Sequence, residues 1–293
     1  MAHYACAMAS ETTSPPRKLF IIGGAEDRVG RATVLRRFVR IAGGRRSRIV
    51  IIPTASSFQD EVVEAYTEVF MRLGCSQIEV VNPANRREAS DPEAVRRIDD
   101  ATGVFMSGGS QLKLSQYLPG TPLGEALHRA HDRGAVVGGT SAGASIMSQF
   151  MISLGDEGVT PRQHSSQLSH GLSLLEGFVI DQHFGQRSRY GRLMSIIAGS
   201  PNLVGIGIDE DTALEVTDAR EAVVHGRGVV FVIDERSAVT DAPDARSGAP
   251  LLVSGAVVHS LPAGATFDLE TLTLTDFVEK HPDIAVSLTA ARS

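Results

Sequence analysis

The chain has 293 residues, 42% of them hydrophobic and 21% charged, which suits one large α/β domain or two small ones. Asp and Glu (34) outnumber Lys and Arg (28), and the net charge of -6 disfavours a phosphate-binding surface for nucleic acid. Two cysteines, Cys6 and Cys75, exclude a disulfide framework and a cysteine zinc site.

Residues 1–17 are expected to be a disordered tail. They show no basic start followed by an apolar run, so no secretory signal is expected, and a reducing, cytoplasmic setting fits. Nowhere do about 18 consecutive apolar residues occur, so no membrane span is expected. Residues 18–293 read as a single α/β domain, β-rich from about residue 210. Short apolar runs at 19–22, 49–52, 78–81, 104–106 and 135–137 alternate with helical patterns, the signature of a mostly parallel sheet with helices on both faces. Val34, Phe38 and Ile41, with Leu35, Val39 and Ala42, form one helical face, and Arg36, Arg37 and Arg40 are expected to point into solvent. Val62, Tyr66, Val69 and Leu73 repeat the pattern. The first strand is followed by Gly23-Gly24-Ala25-Glu26-Asp27, which lacks the third glycine of a dinucleotide fingerprint, and no Gly-x-x-x-x-Gly-Lys loop occurs. After Ser200, strand-like pieces at 204–208, 214–216, 223–225, 229–233 and 251–258 suggest a β-rich continuation packed on the same sheet, with 237–248 as a loop.

Gly139-x-Ser141-x-Gly143, after the run at 135–137, has the spacing of a nucleophile elbow, with Ser141 at a sharp strand-to-helix turn. The N–H of Ala142 at the helix start would face a developing oxyanion. A glycine-rich connection with Ser141 as a plain cap is the alternative. A serine hydroxyl needs a base, and His183 stands apart among nine histidines. It follows the buried-strand pattern 178–180, at the carboxyl end where ligands of open α/β sheets bind. His128 and His131 share a helix face without a third metal ligand nearby and read as solvated, and His164 and His170 fall in a polar loop. Asp209, Glu210 and Asp211 end another apolar strand, and any of them would orient the imidazole. Alternation places Asp209 and Asp211 opposite Glu210. Arg187, Arg189 and Arg192 beside the histidine suggest capture of a substrate carboxylate, with ion pairs to Asp181 and Asp209 as the plainer alternative. Gly108-Gly109, at the end of another strand, offer a second oxyanion donor.

These segments together resemble the cyanophycinases, within the serine peptidase group that includes peptidase E. The resemblance rests on Gly23-Gly24-Ala25-Glu26-Asp27, Gly108-Gly109-Ser110-Gln111, residues 138–147, Asp181-Gln182-His183-Phe184 with Arg187, Arg189, Gly191, Arg192 and Leu193, and residues 205–213. It implies a class I glutamine amidotransferase-like fold, commonly homodimeric, and a Ser141, His183, Glu210 triad without metal or organic cofactor. It also implies that Gln111, Asp181, Gln182, Arg187, Arg189 and Arg192 line the substrate cleft, with Lys113 as a further candidate. The implied substrate is cyanophycin, polyaspartate with arginine on each β-carboxyl group, cut to β-aspartyl-arginine dipeptides. The rivals are an aspartyl dipeptidase of peptidase E type and a non-enzymatic binding module of the same fold. Ser110 stands where the family usually has an acid, which leaves open whether arginine or lysine side chains are preferred.

Overall fold

A computed structural model describes residues 15–278; most of the tail predicted at 1–17 lies outside them, as does Cys6. The first half alternates strand and helix: β1 (Lys18–Ile22), α1 (Thr33–Ile41), β2 (Arg48–Ile52), α2 (Gln59–Arg72), β3 (Gln77–Val80), α3 (Pro92–Asp100), β4 (Gly103–Met106), α4 (Gln111–Tyr117), α5 (Pro122–Asp132) and β5 (Val136–Thr140). The five strands pair in parallel in the order β1-β5-β4-β2-β3. Strand residues point alternately to the two faces. Phe20, Ile22, Ile49, Ile51 and Phe105 bury against α1 and α2, while Leu19, Ile21, Val50, Val104 and Met106 face the core shared with α3 to α5. Phe38 of α1 packs edge-on against Phe105 at 5.3 Å between ring centroids; each such phenylalanine contributes about 1.5–3 kcal/mol by burial.

Next come the single turn α6 (Ala142–Ser145), a hairpin of β6 (Phe150–Gly155) and β7 (Ser166–His170), β8 (Phe178–Gln182), α7 (Tyr190–Ala198) and β9 (Val204–Ile208). The hairpin was not legible in the sequence, since Ser-Gln-Leu-Ser-His carries no apolar alternation; His170 thus ends a strand instead of lying in a loop. The β-rich part holds β10 (Thr212–Thr217), β11 (Glu221–Gly226), β12 (Val229–Asp234), β13 (Val239–Thr240), β14 (Val253–Ser254), β15 (Val257–Pro262), β16 (Ala265–Asp268) and β17 (Thr273–Phe277). Here the expected β-rich continuation divides between two sheets. Antiparallel β10, β11, β16 and β17 extend the main sheet beyond β1 to nine strands, but β12 and β15 join β9 and β8 in a separate four-stranded sheet. The expected strand at 251–258 is broken, because Gly255 turns at φ 87° between β14 and β15.

Two surface expectations also need correction. Arg37 is not purely solvated: it makes a bidentate ion pair with buried Glu215 on β10. Burial would raise that carboxyl, but hydrogen bonds from His225, Arg37 and Lys18 hold it well below the usual carboxylate range. His131 of α5 is buried, and desolvation pushes its imidazole down to about 4. Among the described residues, no group of three or more His, Cys, Asp and Glu is arranged to hold a metal, and no helix is long and apolar enough to cross a membrane.

Glu235, after β12, is buried with neither carboxyl oxygen hydrogen-bonded among the described residues, and burial pushes it up to about 7. The folded state therefore holds this proton where the unfolded chain has released it. Stability from this group is complete below the ordinary glutamate range and is lost as pH rises through about 7. Glu235→Gln should remove that decline and be more stable than the parent by about 3 kcal/mol at pH 8. Urea titrations of both proteins at pH 5 and pH 8 check this; equal pH slopes would refute it.

Candidate active site

The carboxyl ends of β5, β8 and β9 converge on one rim of the molecule. Ser141 follows β5 with φ 53° and ψ -111°, the strained apex expected of an elbow, which costs on the order of 1–3 kcal/mol. The flanking glycines have a steric reason. A Cβ on Gly139 would collide with the carbonyl of Gly143, and one on Gly143 with the carbonyl of Met106. The Ser141 N–H donates to the carbonyl of Ile22 at 3.0 Å, tying the apex to β1.

His183 follows β8 and also has positive φ, 46°, with its N–H donating to the Gly23 carbonyl at 2.8 Å. Its ring lies where a Cβ on Gly24 would be, so the Gly23-Gly24 pair makes room for the imidazole. His183 Nε2 lies 3.2 Å from Ser141 Oγ, and Nδ1 lies 2.6 Å from Glu210 Oε1. Gln182 Oε1 is a second acceptor for the serine hydroxyl, also at 3.2 Å. Of the three acids left open by the spacing, only Glu210 reaches the ring. Asp209 accepts from the N–H groups of Gly185 and Val229, and Asp211 from that of Asp27. Gln186 Oε1 in turn accepts from the Glu210 N–H.

Burial lowers the His183 pKa from its ordinary value; the hydrogen bond to Glu210 opposes this, and the charges of Arg187 and Arg189 reinforce it. The neutral base thus persists to lower pH than free imidazole, and the acidic limb of kcat/KM should lie below the usual histidine range. Arg187→Ala removes one of those positive charges and should move the limb to higher pH. A pH–rate profile that stayed in place would contradict this electrostatic role.

Gly108 faces the nucleophile: a Cβ there would lie 3.2 Å from Cβ and 3.7 Å from Oγ of Ser141. Gly109 is the other glycine expected at the oxyanion. At φ 137° it presses on the Ala55 carbonyl, where a side chain would collide. Ala142 opens α6, which is only four residues long.

The expected lining of the substrate cleft is only partly brought together. Gln182 touches Ser141, and exposed Arg187 lies 3.8 Å from Glu157. Asp181, Arg189 and Arg192 instead form a buried cluster. Arg192 Nε donates to Asp181 Oδ2 at 2.7 Å, its Nη2 pairs with Oδ1, and Arg189 Nη1 lies 3.6 Å from the same carboxylate while donating to the Gln182 carbonyl at 2.7 Å. The plainer ion-pair alternative holds for Asp181 and not for Asp209. Gln111 Nε2 donates to the Ile152 carbonyl at 2.9 Å, which docks α4 on β6, and Lys113 is half-buried on α4. Neither lines the pocket beside Ser141.

That pocket, of about 230 Å³, is lined by Ser141, His183, Ser107 and Gly108 together with Glu26, Arg28, Val62 and Tyr66. Sequence reasoning noted Glu26 only within a glycine motif and missed its place here. Its buried carboxylate accepts from Thr140 Oγ1 at 2.6 Å and from the Tyr66 hydroxyl, and burial raises the phenol well above its ordinary range.

Comparison with known proteins places the chain in a family. The family model of peptidase family S51 matches residues 19–224. A cyanophycinase of Synechococcus elongatus is 36% identical over 252 residues, covering 85% of this chain and 78% of the relative. One from Nostoc sp. is 34% identical over 264 residues, covering 89% of each. A solved peptidase from an acI-B1 Actinobacterium shares the fold at a TM-score of 0.63 and 20% identity, covering 87% of this chain and 97% of that one.

Proposed function

The chain belongs to peptidase family S51 and is a peptidase, and from that premise we propose that it is a serine exopeptidase that hydrolyses cyanophycin to β-aspartyl-arginine dipeptides through an acyl-enzyme. The observation that carries this reading is the chain of contacts from Ser141 Oγ through His183 to Glu210, at 3.2 and 2.6 Å. Ser141 Oγ attacks an aspartyl backbone carbonyl while His183 Nε2 takes its proton. Glu210 holds the Nδ1–H tautomer and stabilises the imidazolium as it forms. The N–H groups of Ala142 and Gly108 receive the oxyanion. Collapse of the tetrahedral intermediate breaks the C–N bond, and His183 passes its proton to the leaving amine. Water, activated by the same histidine, then hydrolyses the serine ester and releases the product.

The substrate assignment is supported by cyanophycinase relatives that span most of the chain. One domain from residue 18 onward is part of the proposal, supported by the continuation of the main sheet through β17. A cytoplasmic homodimer is proposed from the family resemblance. Incubation with insoluble cyanophycin and with α-aspartyl dipeptides, read by mass spectrometry, should give β-aspartyl-arginine from the polymer. Cleavage of the dipeptides alone would point instead to a dipeptidase.

A further inference from the structure

The pocket beside Ser141 holds two charges that the triad chemistry does not use. Glu26 is 5% exposed and sits in no ion pair among the described residues. Two of its acceptor positions are filled by Thr140 and Tyr66, which leaves capacity for further donors from the pocket. A carboxylate removed from water without a countercharge is costly, and a cationic ligand group removes that cost. At the mouth, the exposed guanidinium of Arg28 lies 5.5 Å from the Tyr66 ring centroid, likewise in no ion pair among the described residues. Stacking on a ring face leaves the edge of a guanidinium open to a carboxylate.

Arginine joined through its α-amino group to an aspartate β-carboxyl keeps both its guanidinium and its α-carboxylate free. Each unit of such a chain is therefore a zwitterion, matching a pocket with an acid at its base and a guanidinium at its rim. We propose that this pocket is a substrate subsite, separate from the Asp181–Arg192 cluster, that takes one β-aspartyl-arginine unit next to the scissile bond, its guanidinium at Glu26 and its carboxylate at Arg28. The inference rests on the cyanophycin reading above. It also gives the site an acid that Ser110 does not supply.

The test uses three polymers: native cyanophycin, one with its arginine carboxylates amidated, and one carrying citrulline in place of arginine. In the wild type, each modification should raise KM roughly tenfold, the effect of losing one charge-assisted contact. Arg28→Ala should raise KM on native polymer by a similar factor and no longer distinguish native from amidated chains. Glu26→Gln should lose the distinction between arginine and citrulline. Variants that keep the wild-type ratios between polymers, whatever happens to kcat, overturn the subsite. A wild type inactive on all three overturns the cyanophycin reading itself. If Glu26→Gln melts well below the parent, the Arg28→Ala ratios decide alone.

Discussion

Replacing Ser141 with alanine should abolish peptide hydrolysis, a loss of about 10,000-fold or more in kcat, without a comparable change in folding stability. The size follows from the contact chain. His183 Nε2 sits 3.2 Å from a single hydroxyl, and without that oxygen the imidazole and Glu210 have no nucleophile to activate. Folding should be spared because alanine keeps the Cβ, and with it the same steric cost at φ 53°. The lost hydrogen bonds are those to His183 and Gln182, at the rim of a pocket. Turnover of purified protein, with thermal unfolding alongside, checks both halves. Retained turnover would remove Ser141 from the mechanism.

Asp181→Ala should be the most destabilising single change near the site, at about 3–5 kcal/mol. The carboxylate is 1% exposed and lies between Arg192, which grips it with two nitrogens, and Arg189. Its removal leaves two buried guanidinium groups facing each other without the anion that compensates them. Because Asp181 lies two residues before His183 on the end of β8, loosening this cluster should also lower activity. Removing both partners, as Asp181→Leu with Arg192→Met, should cost less than the single change, since no unpaired charge is left from that pair. Urea titrations of the three proteins test this, and a double variant less stable than Asp181→Ala would contradict it.

Much of the site was legible because each of its parts lies at a strand end. The run at 135–137 before Gly139-x-Ser141-x-Gly143, the run at 178–180 before His183, and the strand before Glu210 are all apolar segments that stop where chemistry begins. Their lateral order, by contrast, is a tertiary fact. Nothing in the residues of β12 says that it pairs with β9 instead of extending the sheet beyond β11. Two of the three arginines, Arg189 and Arg192, are held otherwise than expected for a related reason. A guanidinium beside a catalytic histidine reads as a substrate clamp until the fold shows a buried carboxylate already filling it. Glu26 was missed because a lone acid in a glycine-rich turn carries no periodic signal. Its meaning comes from Tyr66 on α2 and Thr140 at the end of β5, residues far away in the chain.

The proposed chemistry stands on Ser141 being the activated nucleophile. Treating the native protein with a fluorophosphonate, digesting it and mapping the adduct tests this most directly. One phosphonyl group is expected, on Ser141, with none on Ser141→Ala and slow labelling of His183→Ala. An adduct on a different residue, or equal labelling of Ser141→Ala, would contradict it.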